Sequence, residues 1–126
     1  MITEDYVSFE TAKLLKEKGF DEPCDFYISE LFPSSITKYS DYGIKYKNSQ
    51  KEYVYSTPTL QMAMKWLREV HHLTVDVFHF RNWKVIIKTI PDDYFKADYD
   101  YPELKPAETY EQACESGIKY CLENLI

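Results

Sequence analysis

Glycine is scarce in this chain. Gly19, Gly43 and Gly117 are the only three in 126 residues. Phosphate-binding loops and the GxGxxG fingerprint need several closely spaced glycines, so both are excluded. GxSxG and HExxH are missing as well, which removes two familiar routes to hydrolytic chemistry. Positive charge is in deficit, with 15 Lys and Arg against 21 Asp and Glu, a net charge of −6. A nucleic-acid binder needs a basic face to neutralise phosphates, so no nucleic-acid partner is expected. No apolar run approaches the about 18–20 residues of a membrane span, and no charged start is followed by an apolar signal segment. The expectation is no membrane partner. The three cysteines, Cys24, Cys114 and Cys121, form an odd set, which fits reduced thiols and a cytoplasmic location.

What remains is a core-forming, tyrosine-rich chain. Hydrophobic residues make up 44% and aromatic residues 17%, with 12 tyrosines. The length fits one domain, residues 1–126. Residues 8–19 predict a helix capped by Ser8 and stopped by Gly19, with Phe20 folding back on Leu15. Between Pro23 and Pro33, residues 24–32 hold a short strand. Residues 42–47 alternate apolar and polar, and with 52–56 they predict a hairpin. Thr57 and Pro58 suit a second helix start, and Leu60, Ala63, Met64, Leu67 and Val70 line one side of it, flanked by Trp66. Residues 74–80 and 83–90, separated by Arg81-Asn82, predict a second hairpin. The run 91–108 reads as an acidic loop. Thr109 with Gln112 opens a last helix as a capping box. Ala113, Cys114, Gly117, Ile118, Cys121, Leu122 and Leu125 share its apolar arc, where Gly117 fits a close approach to a sheet.

Few residues look chemical. His71 and His72 end the second helix, and adjacent helical side chains diverge by about 100°. A left-handed stop at His72 explains the pair better than a metal site does. Cys114 and Cys121 lie two turns apart, about 10.5 Å along the axis, too far for a disulfide. No catalytic residue, cofactor or metal ligand is expected. Asp98 and Asp100 have calcium-loop spacing but lack the required Gly and Glu. The segment around them is the candidate interaction surface: Asp92, Asp93, Tyr94, Asp98, Tyr99, Asp100 and Tyr101. Its tyrosines offer rigid contact area between carboxylates.

Three stretches carry a resemblance: VSFETAKLLKEKGFDEP (7–23), TPTLQMAMKWLREVHHLTV (57–75) and YEQACESGIKYCLENLI (110–126). They resemble a group of small uncharacterised proteins from gut Bacteroides-type bacteria, some from phage-like or mobile regions. The resemblance implies no activity and no site residues.

The fold expected is α+β, an antiparallel sheet of about four to five strands built from hairpins, with three amphipathic helices mainly on one face. The exposed sheet face should carry Lys45, Lys84 and Lys88 among tyrosines. The expected function is a small non-enzymatic protein that binds another protein, with a mobile-element origin as one option. The alternative is an enzyme or ligand-binding domain with a Tyr/His-lined cleft. A homodimer through a sheet edge or a helix side stays open.

Overall fold

In a computed structural model, which describes residues 1–91 and 104–126, the chain forms two compact units, Met1–Thr59 and Leu60–Ile126. Among the described residues the fold is α+β, with three α-helices and five strands in two antiparallel sheets. The expected single sheet is therefore corrected to one of three strands and one of two.

The first unit begins with α1, Phe9–Glu17. Ser8 caps it, its hydroxyl accepting from the Thr11 amide at 3.3 Å. Gly19 closes it in the left-handed conformation at φ 93°. The Phe20 amide then donates to Leu15 O at 2.8 Å and the Gly19 amide to Lys16 O at 3.2 Å, the paired bonds of a Schellman stop. Phe20 and Leu15 are both buried, each contributing about 1.5–3 kcal/mol.

The sheet of this unit has the order β2-β1-β3, formed by β1 (Phe26–Ser29), β2 (Phe32–Lys38) and β3 (Val54–Ser56). The expected hairpin of 42–47 with 52–56 does not form; β3 pairs with β1 instead. Gly43 sits at φ 75°, which breaks the extended run, and Tyr42 and Ile44 are exposed. Only Tyr46 meets a strand-like partner, in an isolated bridge to Cys24.

In the second unit α2 spans Leu60–His71. Thr57 and Pro58 precede it rather than opening it. The Thr57 amide donates to Phe26 O and Pro58 O accepts from the Val7 amide, so this stretch is held extended and the helix starts later. Val70 is exposed and Trp66 is buried, a rotation of the expected stripe toward its Trp66 flank. The hairpin of β4 (Leu73–Phe80) and β5 (Asn82–Thr89) runs in unbroken register from Leu73↔Thr89 to Phe80↔Asn82. Its turn centres on Arg81 alone, at φ 69°; Asn82 already belongs to β5.

The last helix, α3, spans Tyr110–Asn124, and the Thr109 side chain accepts from the Gln112 amide at 3.1 Å. Gln112 Oε1 accepts from the Glu108 amide, one residue before the expected one. A Cβ on Gly117 would lie 2.5 Å from Val75 Cγ1 and 2.9 Å from Val85 Cγ2. Glycine is thus required where α3 meets the hairpin.

Candidate functional site

The outer edges of a sheet carry unpaired N–H and C=O groups, which a protein must close or use. In the first unit they are closed along β3 but only interrupted along β2, whose Ile36 and Lys38 still turn their backbone groups outward. Along β2 the register jumps from Ile28↔Ile36 to Ser29↔Phe32, so residues 33–35 bulge out of the ladder. Pro33 lies in that bulge, where its missing N–H costs nothing. Along β3 side chains do the closing. Asn48 Oδ1 accepts from the Ser56 amide at 2.8 Å while its Nδ2 donates to Phe20 O at 2.8 Å. Lys16 Nζ donates to Val54 O, Lys51 O and Glu52 O.

The second unit differs. The outer edge of β5 is engaged, because Trp83 and Ala107 exchange both backbone bonds at 3.0 and 2.8 Å, and the Leu104 amide donates to Val85 O. The outer edge of β4 is not. The Ile90 amide donates to His72 O at 2.7 Å. That bond fixes the phase: Thr74, Asp76, Phe78 and Phe80 bond inward to β5, and Leu73, Val75, Val77 and His79 present their N–H and C=O outward. Among the described residues those outward groups meet no donor or acceptor. Exposure agrees. Val85 and Ile87 of β5 are fully buried, whereas the valines directly opposite them, Val77 and Val75, are half-buried. Solvent therefore reaches the β4 side of the hairpin.

The outer face of the same hairpin is apolar in part. Phe78 and Phe80 are 39% and 62% exposed. Across from β4 stand Lys88, Ile86, Lys84 and Asn82, and Lys88 pairs with Asp76 at 3.5 Å. Lys84 and Lys88 thus lie on a sheet face as expected, but among phenylalanines rather than tyrosines. Lys45 is in no strand and faces Asp25 at 3.9 Å.

The residues singled out in the sequence are scattered. His72, at φ 55°, is the left-handed stop of α2. His71 lies edge-on to Trp66 at 4.7 Å, and its buried Nε2 has no partner among the described residues. Burial first, and then the neighbouring His72, push its pKa down. His79 packs its ring on Trp83 at 5.0 Å. Among the described residues no three His, Cys, Asp or Glu side chains come together to hold a metal. The cysteines are free and buried. Burial pushes the Cys24 and Cys121 thiols up to about 12 and raises Cys114, so they stay protonated and poorly nucleophilic.

An open hollow of about 230 Å³ lies at the end of α1, lined by Lys16, Gly19, Phe20, Asp21, Asn48 and Ser49. It has no Tyr or His in its lining, and its polar atoms are engaged. Asp21 accepts from both the amide and the hydroxyl of Ser49, which holds its carboxyl below the usual range. Asp92, Asp93, Tyr94, Asp98, Tyr99, Asp100 and Tyr101 lie outside the described residues. No described helix is long and apolar enough to cross a membrane.

The open edge of β4 went unrecognised in the sequence reading. Its signal was available: LTVDVFHF holds no Pro, Gly or Lys, the residues that most often blunt an edge. No family model, curated protein or solved structure matches the chain.

Proposed function

We propose that this is a non-enzymatic protein-interaction module of the cytoplasm that binds an extended polypeptide segment along β4. The observation that carries the reading is the run of outward backbone groups at Leu73, Val75, Val77 and His79, which no described residue engages. A segment added there gains main-chain hydrogen bonds, each contributing about 0.5–1.5 kcal/mol net, with side-chain choice set by alternate positions. Phe78 and Phe80 on the outer face and the half-buried Val75 and Val77 on the inner face give that segment apolar contact on both sides. α2 and α3 back the strand on its inner face in this reading. A mobile-element origin, implied by the resemblance of the helices, belongs to the same proposal.

The test is capture of bound polypeptides by tagged protein in host extract, the chain itself counted among them. It runs beside a Val77→Pro variant. Proline at 77 removes an outward N–H and no bond of the β4–β5 ladder. Polypeptides held by the wild type and lost with the variant, at an unchanged far-UV spectrum, support the reading. Equal capture by both overturns it. An Asp98/Tyr99/Asp100→Ala variant in parallel tests the acidic segment as a separate contact.

A further inference from the structure

We infer that the segment received by β4 is β4 of a second copy, paired antiparallel about a two-fold axis at Val75. The inference rests on the open-edge reading above and names its partner.

An isologous contact requires a surface that matches itself. Read from either end, Leu73-Thr74-Val75-Asp76-Val77 runs apolar, polar, valine, polar, apolar. With the axis at Val75, the outward groups fall into register as Leu73 with Val77, Val75 with Val75, and Val77 with Leu73 of the second copy. Each is a hydrogen-bonded pair of two bonds. The inner face then places only apolar side chains opposite one another, and it covers the valines now half-buried. On the outer face Thr74 stands opposite Asp76, a hydroxyl donor against a carboxylate. The neighbouring register, with the axis at Asp76, sets two carboxylates directly opposite, which is destabilising. The pairing also turns two hairpins into a continuous sheet of four strands. A two-stranded ribbon gains stability by such extension.

The experiment is sedimentation velocity of the full chain across a hundredfold concentration range, with Val77→Pro and with two cysteine variants under mild oxidation. Thr74 and Asp76 of facing strands would form a non-hydrogen-bonded pair about 4.5 Å apart at Cα, within disulfide reach. The expected results are a concentration-dependent dimer, a dissociation constant at least tenfold weaker for Val77→Pro, and a covalent dimer for Thr74→Cys/Asp76→Cys but not for Asp76→Cys alone. A dimer that Val77→Pro leaves intact overturns the inference by placing the interface elsewhere. Cross-linking by Asp76→Cys alone overturns the register. A chain that stays monomeric throughout overturns the second copy as partner. The open-edge reading survives that last result if host polypeptides are still captured and lost with Val77→Pro, and it falls if none is.

Discussion

The two sheets treat their edges differently. The three-stranded sheet of the first unit ends on one side in a bulge with Pro33 and on the other in the Asn48 and Lys16 side chains. Among the described residues, the two-stranded sheet of the second unit leaves β4 open along its outward residues. The contrast teaches that closure of β3 is specified by an asparagine and a lysine from outside the strand, and that the outward groups of β4 meet no such side chain among the described residues.

The largest expected effect comes from breaking the closed side. Asn48→Ala orphans the buried Ser56 amide, at a cost of about 1–3 kcal/mol, and removes the Asn48 donor to the Phe20 carbonyl. A urea midpoint well below wild type, with added self-association from the opened β3 edge, is the predicted outcome. A midpoint near wild type would mean that Asn48 closes nothing.

Next comes the backing of the open strand. Gly117→Ala sets a methyl into Val75 and Val85. Overpacking of this kind costs about 1–3 kcal/mol, and improved helix propensity of roughly 1 kcal/mol offsets part of it. The net loss should appear in thermal unfolding. A stabilised variant would show that α3 can lift off β4 and β5 without penalty.

A smaller effect concerns pH. Burial holds the folded pKa of His71 below its ordinary value of 6.5. The unfolded chain therefore takes up its proton first as pH falls, and stability declines from near pH 6.5 downward, through the folded pKa. His71→Phe should flatten that part of the stability profile. The smallest effect is Pro33→Ser, which leaves stability within about 0.5 kcal/mol, because the bulge rather than the ring interrupts the ladder.

Much of this architecture was legible in the residues. Ser8, Gly19, Thr109 and His72 act as the stops and caps their types suggest, since capping depends on a few neighbouring atoms. The hairpin of residues 73–89 was legible too, because its pattern is local. Pairing across the chain was not. β3 meets β1 rather than the adjacent 42–47, a choice made by Gly43 and by long-range packing. The start of α2 was misplaced for the same reason, since its extended lead-in is held by Phe26 and Val7. The candidate site shared this limit: whether an edge is open depends on which strands find it, and periodicity carries no such information.

Amide hydrogen exchange resolved by residue along β4, followed from dilute to concentrated protein, tests the central claim most directly. In dilute protein Thr74, Asp76, Phe78 and Phe80 should be protected, while Leu73, Val75, Val77 and His79 exchange freely. Concentration should slow Val75, Val77 and Leu73. Protection of all eight amides at every dilution would contradict the account, because the edge would already be closed. Free exchange at the alternate positions at every concentration, and in host extract, would contradict it too, because nothing would bind there.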